Sequence, residues 1–425
     1  MSIKNVSDPS TVLKEMFDAA VGAANPMVCV PPHLPKAPSG RTIVLGAGKA
    51  SAMMAKAVEE HWTGNISGCV VTRYNYAVSC TRIEIIEASH PVPDAASANA
   101  AQRILKLAND LKADDLCIAL ISGGASSLLS YPSKGLTLKD KQKINHQLLR
   151  SGATINEINI VRKHLSAIKG GRLAEAIFPA SLRTILISDV PGDDPATIGS
   201  GPTVPDDTTF SDAREVLKKY EIIPPKAILN HLIQSNHETP KKQSRVFQNT
   251  EVRFAGLPIT SLEAAARCAV SYGFTPHLLG DTLQGEARDL AKIHANLGLN
   301  IKKRKHKMTP PCAILSGGEA TVTIKGAGRG GPNTEYSLAM AIALNGASNI
   351  YGITCDTDGI DGTENNAGSI ITPETLQKAK SLNLDPARFL EDNNSYTFFK
   401  KLDDLIDCGP TYTNVNDFRV LLILP

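Results

Sequence analysis

Three times in this chain a short apolar run stops at a pair of glycines. Thr42–Leu45 meets Gly46-Ala47-Gly48-Lys49, Leu116–Ile121 meets Ser122-Gly123-Gly124-Ala125-Ser126, and Cys312–Leu315 meets Ser316-Gly317-Gly318-Glu319. Helical spacing follows the first turn (Met53, Met54, Ala57, Val58). Fully apolar strands alternating with helices predict parallel βα units whose sheet is covered on both faces. Glycines at the strand ends let the backbone approach a ligand closely and direct N–H groups at an anion. In open sheets of this kind ligands lie beyond the carboxyl ends of the strands, where these turns fall.

The alternation continues. Further strands are predicted at Cys69–Thr72, Ile83–Glu87 and Thr184–Ile187, with helices over 10–24 and 95–111. Residues 137–178 read as helical, broken at Gly152 and at Gly170-Gly171. At 425 residues the chain is too long for one ordinary core. The polar, aperiodic stretch from Gln234 to Thr250 places a boundary between a domain over 1–240 and a second over 250–425. The second alternates again: helices at 261–271, 284–297 and 332–344, strands at 276–279, 312–315 and 351–355, and a last apolar strand from Arg419 to Leu424. The unusual loops would then gather at one edge per domain, with the active site in the cleft between.

Composition excludes several classes. A net charge of +3 without a long basic run offers no footprint for nucleic acid, and Lys302–Lys307 reads as a solvated connector. None of the eight cysteines forms a C-x-x-C pair, and Cys117, Cys312 and Cys355 sit inside strand runs. That pattern suits reduced thiols of a cytoplasmic protein rather than a disulfide frame or zinc site. The leading MSIKNVSDPS has no apolar signal core, and no run reaches the ~20 apolar residues of a membrane span.

The residues suited to chemistry are charged ones in glycine-rich settings. Lys49 opens a helix, where a cation opposes the macrodipole, so its placement points to function: neutralising a transferring phosphoryl group. Arg329 stands among the glycines of Gly326–Gly331 as a planar fork for carboxylate or phosphate. Asp189, Asp193 and Asp194 share one strand-end loop; Asp356, Asp358 and Asp361 share another. Such acids either hold Mg²⁺, which takes one or two carboxylates plus phosphate oxygens and water, or serve the turns themselves. Arg162, Lys169 and Arg172 fall on one helical face, either solvated or lining an anion cleft; His90 and His164 are proton carriers or structural. The Walker loop fails, because Ala50 follows Gly48-Lys49 and Ile43 stands where its first glycine belongs. The dinucleotide fingerprint is half met by Gly46-Ala47-Gly48-Lys49-Ala50-Ser51. The ribose-binding acid is absent, since strand two ends in Thr72-Arg73. An arginine there suits a 2′-phosphate, which keeps an NADP reading open.

Longer runs carry a resemblance: VLGAGKA (44–50), SHPVPD (89–94), ISGGASSLL (121–129), INIVRKHLSAIKGGRLA (158–174), SDVPGDDPATIGSGPT (188–203), LSGGEATVTIKGAGRGGPNTEY (315–336), DTDGIDG (356–362) and GPTYTNVND (409–417). In these, essentially end to end, the chain resembles ATP-dependent glycerate 2-kinases of the class II (MOFRL) family. It departs where Ala125 interrupts S-G-G-G-S and where Pro332-Asn333-Thr334-Glu335 replaces R-N-Q-E. The resemblance implies an α/β protein of two domains, a larger Rossmann-like one and a smaller α/β one, with the active site in the interdomain cleft. It implies transfer of the ATP γ-phosphoryl group, with Mg²⁺, to the 2-hydroxyl of D-glycerate, giving 2-phosphoglycerate, with catalytic weight on Lys49 and Arg329. Asp189 is the expected third catalytic residue, and Asp189 and Asp194 the expected metal ligands. Substrate and phosphate binding are expected of Gly46, Gly48, Ser122, Gly123, Gly124, Ser126, Arg162, Lys169, Ser316, Gly317, Gly318, Glu319 and Asn333. The expected partners are small molecules only, and the protein is expected to be a monomer or homodimer. Some relatives carry the label hydroxypyruvate reductase, so NAD(P)H-dependent reduction stands as the alternative.

Overall fold

The structure, a computed structural model, describes residues 8–235 and 237–425; the leading residues 1–7, in which no signal core is read, lie outside them. The chain divides into two compact units, one formed by residues 26–255 and the other by residues 256–425 together with the first helix.

In the unit spanning 26–255 the strands are β1 (Thr42–Ala47), β2 (Ile66–Arg73), β3 (Ile83–Ala88), β4 (Leu116–Ile121), β5 (Ser181–Ile187) and β6 (Thr250–Gly256). Their order in the sheet is β3-β2-β1-β4-β5-β6, the Rossmann order, and β1 runs parallel to both β2 and β4. The order reverses between β1 and β4, so the crevice of this sheet lies beyond their carboxyl ends. Register places Ala47 opposite both Val71 and Ile121, which brings the first two glycine turns out side by side. Ile43, Leu45 and Ala47 point to one face with Cys117, Ala119 and Ile121; helix Ala95–Asn109 covers them with Ala100, Ala101 and Ile104.

A second core in this unit is purely helical. Helices Leu138–Arg150, Ile155–His164, Phe210–Lys219 and Lys226–Gln234 bury Ile144, Leu148, Val161, Phe210 and Leu232 together. The first three begin at capping boxes, Thr137 with Asp140, Thr154 with Glu157 and Thr209 with Asp212, in which each pair satisfies two otherwise orphaned N–H groups. The expected 137–178 helical stretch divides into Leu138–Arg150, Ile155–His164 and Arg172–Ile177, with Gly152 and Gly170-Gly171 in the left-handed region at the breaks.

The other unit has β7 (Thr275–Leu278), β8 (Leu283–Glu286), β9 (Cys312–Thr321), β10 (Ile350–Asp356), β11 (Gly368–Ile371), β12 (Leu405–Ile406) and β13 (Asp417–Ile423), in the order β12-β11-β10-β13-β9-β7 with β8 also on β9. The sheet is mixed: β13 lies antiparallel between β10 and β9, whereas β7 and β8 run parallel to β9. Cys312 and Ile314 face helices Ala287–Lys302 and Pro332–Leu344, while Ala313 and Leu315 face helices Pro9–Ala23 and Pro258–Ser271.

Three expectations differ from this architecture. The first helix does not join the domain that follows it: Val12, Leu13, Met16, Phe17 and Ala20 pack with Leu262, Ala265 and Ala269. The expected boundaries of 1–240 and 250–425 therefore give way to a unit over 26–255, with β6 at the edge of the first sheet. An apolar stripe shows that a helix will be buried, not which sheet will bury it. Ser316-Gly317-Gly318-Glu319 is not a turn either, because β9 runs through it to Thr321, pairing Gly317 with Phe418 and Gly318 with Asp417. Gly318 has φ +112°, and a Cβ there would lie 2.1 Å from the Leu283 carbonyl oxygen, so the glycine admits β8 rather than a ligand. The helix expected over 284–297 runs Ala287–Lys302 instead, because β8 occupies the residues before it.

Candidate active site

At the switch point of the first sheet the two glycine turns are tied to each other. The Lys49 N–H donates to the Gly123 carbonyl (2.8 Å), the Ser122 N–H to the Ala47 carbonyl (3.1 Å), and Ser122 Oγ accepts from the Ala50 N–H (3.0 Å). Gly48, at φ +136°, leaves no space for a side chain, since a Cβ would sit 2.1 Å from Ser122 Oγ. Gly46, Gly48, Ser122 and Gly123 thus form the frame of the site. At Gly124 (φ +80°) a Cβ would lie 3.0 Å from His90 Cδ2 and 3.3 Å from Lys49 Cγ, so three loops far apart in sequence meet there.

Beside them opens a cavity of about 220 Å³ lined by Gly124, Ser126, His90 and the apolar side chains of the helical core, Ile144, Leu148 and Val161 among them. Its charged groups are Lys141, Arg162 and Lys169, and among the described residues no aspartate or glutamate lines it. Lys169 is buried and donates from Nζ to the Ser126 carbonyl (2.8 Å). Arg162 donates from Nε to Asn145 Oδ1 (2.7 Å). Ser126 Oγ lies 2.8 Å from Ser200 Oγ, which in turn donates to Asn159 Oδ1 (3.1 Å). Lys141 is also buried, and its Nζ has no hydrogen-bond partner. Burial, and after it the nearby Arg162, pushes the Lys141 ammonium down to about 7. Burial, then Lys141 and Arg162, holds Lys169 well below the usual lysine range, and burial lowers Arg162. Like charges gathered out of water without a carboxylate mark a place prepared for an anion.

The Lys141 shift sets a sign for stability. Its folded value, about 7, lies below the ordinary 10.5, so between those limits the unfolded chain binds more protons and stability gained from this group rises with pH. Lys141→Met should remove that rise, seen as a smaller difference between melting temperatures at pH 7 and pH 9.5 than in the parent chain.

Of the expected binding residues, the structure brings Gly124, Ser126, Arg162 and Lys169 to this cavity and sets Lys49 next to Gly124. Arg172 turns away, donating to the His237 carbonyl (2.7 Å), and His164 is buried with Nδ1 2.9 Å from the Ile160 carbonyl. Lys141 was missed, although a signal existed: Lys141, Ile144 and Leu148 share one helical face, so a lysine stood in the apolar stripe.

Asp189 is half-buried and Asp194 exposed, both just beyond β5. Asp194 accepts from the Ala196 N–H (3.0 Å) and the Thr197 hydroxyl (2.8 Å), the work of a turn residue, though each carboxylate oxygen retains a lone pair. Among the described residues no group of three or more His, Cys, Asp or Glu could hold a metal. The pair fits Mg²⁺ only in the manner that takes remaining ligands from phosphate and water.

In the other unit the expected residues have internal partners. The Gly317 N–H donates to the Gly280 carbonyl (2.9 Å), and its own carbonyl accepts from Arg419 Nη1 (3.0 Å). Ser316 is buried opposite Arg419 on β13, whereas Glu319 lies exposed on β9. Asn333 is buried, its N–H donating to Asp361 Oδ1 (2.9 Å) and its Nδ2 to Asp417 Oδ1 (2.8 Å). Arg329 lies over the Tyr396 ring (4.8 Å) and forks onto Glu364, with Nε 3.1 Å from Oε1 and Nη2 on Oε2. The glycine loop around it donates to Asn side chains, Gly326 N–H to Asn393 Oδ1 (3.0 Å) and Arg329 N–H to Asn394 Oδ1 (3.2 Å).

A parallel sheet in Rossmann order with a cation-lined, acid-free cavity beside its switch point defines an α/β protein equipped for small anions. The chain belongs to the glycerate kinase family: residues 12–233 match the family described as a domain of unknown function (DUF4147), and residues 312–417 match the MOFRL family. It is 38% identical over 422 residues to the D-glycerate 2-kinase of Thermotoga maritima, covering 98% of this chain and 100% of that protein. A crystal structure of the Thermotoga maritima glycerate kinase superposes with a TM-score of 0.89 at 38% identity, over 98% of this chain and 100% of that one. A protein of Agrobacterium vitis provisionally named hydroxypyruvate reductase is 50% identical over 415 residues, 97% of this chain and 94% of its own.

Proposed function

We propose that this chain is a glycerate 2-kinase that moves the γ-phosphoryl group of ATP to the 2-hydroxyl of D-glycerate, giving 2-phosphoglycerate. The observation that carries this reading is the cavity with Lys141, Arg162 and Lys169 and no acid, set against the two locked glycine turns. Phosphoryl transfer asks a protein chiefly to position the reactants and neutralise charge. Lys49, at the helix start beyond β1, neutralises the transferring group. Backbone N–H groups around Gly123 and Gly124 hold anionic oxygens. Asp189 accepts the proton of the attacking hydroxyl or, with Asp194, holds the metal. Mg²⁺, when bound, supplies positive charge to the phosphate oxygens. Arg329 is the second proposed catalytic cation, and to act on phosphate it must exchange Glu364 for its ligand. The free thiols, five of them buried, suit a reducing cytoplasm. No helix of the described residues is long and apolar enough to cross a membrane.

The test is incubation with Mg-ATP and D-glycerate followed by phosphorus NMR. A 2-phosphoglycerate signal that vanishes with EDTA and returns with excess Mg²⁺ is expected; 3-phosphoglycerate or no ester would refute the reading. The name of the Agrobacterium relative favours a second reading, reduction of hydroxypyruvate, which predicts NADPH oxidation. Against it, the third fingerprint position is Ser51 rather than glycine, its hydroxyl 2.8 Å from both the Gly48 and the Val71 carbonyl.

A further inference from the structure

Lys141 poses a problem that the fold alone does not answer. An ammonium stem on the apolar stripe of helix Leu138–Arg150 points into a cavity where its Nζ has no partner. A leucine or methionine would fill that space without burying a polar atom. The groups facing it are Arg162 from helix Ile155–His164, Lys169 from the segment after that helix, and His90 from the loop after β3. None is acidic. A magnesium nucleotide brings its own cation and calls for carboxylates, and the acids at this sheet edge, Asp189 and Asp194, are outside the cavity lining. At about 220 Å³ the cavity is also smaller than the roughly 300–1,000 Å³ of sites for drug-sized ligands. What fits is a small organic anion that arrives without a metal.

We propose that Lys141 is a substrate-binding residue, its ammonium receiving, with Arg162 and Lys169, the carboxylate of the small acid acceptor. The proposal rests on the kinase reading only for the identity of that acid. Buried, and next to Arg162, the Lys141 ammonium is brought down to about 7; a carboxylate entering the cavity beside it restores the charge. Binding above neutral pH therefore draws a proton from solvent. Selectivity follows too, because the cavity rewards a bare carboxylate and offers nothing to a metal.

Calorimetric titration of the full chain with D-glycerate at pH 8, without nucleotide, in two buffers of different ionisation enthalpy, tests this. The parent protein should take up roughly one proton per acid bound. Lys141→Met should bind about 10- to 100-fold more weakly, the loss of one hydrogen bond between charged groups. It should also lose the proton uptake, bind Mg-ADP unchanged and melt no lower than the parent. Lys143→Met, on the exposed side of the same helix, should change none of these. Unchanged D-glycerate affinity and proton uptake in Lys141→Met, or a loss confined to Mg-ADP, would overturn the proposal. If the parent binds no D-glycerate, the kinase reading fails, and the same titration with hydroxypyruvate tests Lys141 independently. Binding of neither acid would overturn both.

Discussion

Replacing Lys49 with alanine is expected to lower kcat by about 10²- to 10³-fold, the cost of removing one charge aimed at a transferring group. The fold should not notice. The turn is held through its own backbone N–H groups, that of Lys49 on the Gly123 carbonyl and that of Ala50 on the Ser122 side-chain Oγ, and alanine keeps both. Removing a cation from a helix start is, if anything, favourable to the helix. Steady-state kinetics at saturating Mg-ATP and D-glycerate, together with a melting curve, separate the two effects. Near-normal turnover in Lys49→Ala would take this side chain out of the chemistry. A lower melting temperature with intact turnover would assign it a purely structural part.

Asp361→Ala should produce the largest loss of stability. Asp361 is buried and accepts from the Asn333 N–H (2.9 Å), the Thr334 N–H (2.9 Å) and the Thr334 hydroxyl (2.7 Å), so it caps helix Pro332–Leu344 from a distant loop. Alanine would leave two backbone N–H groups without their acceptor and the Thr334 hydroxyl with only the Gly331 carbonyl (3.3 Å), at about 3 kcal/mol, or roughly 6–12 °C in melting temperature for a unit of this size. Burial, opposed by those same hydrogen bonds, pushes the Asp361 carboxyl up to about 6. The sign is the reverse of an ordinary salt-bridged aspartate. Because the folded value exceeds the ordinary 3.8, the native state binds more protons between those limits, and stability from this group falls as pH rises through them. Asp361→Ala should therefore lose less stability at pH 7 than at pH 4.5, and melting curves at the two values decide it.

Residues of similar appearance proved unequal guides. The first sheet was legible because strands buried on both faces are written as unbroken apolar runs, as in Leu116–Ile121. β6 was not, since an edge strand with only its last residue buried looks like the polar connector before it. Ser122-Gly123-Gly124 and Ser316-Gly317-Gly318 carry the same three letters, yet the first turns toward a cavity and the second continues a strand. What separates them is the neighbour each glycine admits, His90 and Lys49 in one case and the backbone of β8 in the other. Arg162 and Lys169 were visible as cations at helical spacing. Lys141 is harder to single out, because Lys139 and Lys143 beside it are the same residue type and Lys143 is exposed. Arg329 was legible as a fork for a carboxylate, but the one it holds, Glu364, lies 35 residues on, beyond any local pattern.

The seat of helix Pro9–Ala23 has a consequence for folding. Its apolar stripe is covered by helix Pro258–Ser271 and by residues of β13, both far from it in sequence. Residues 26–255 form a unit of their own between these segments. Assembly of the second body therefore has to close a long loop of chain, an entropic cost that slows the search for its native contacts.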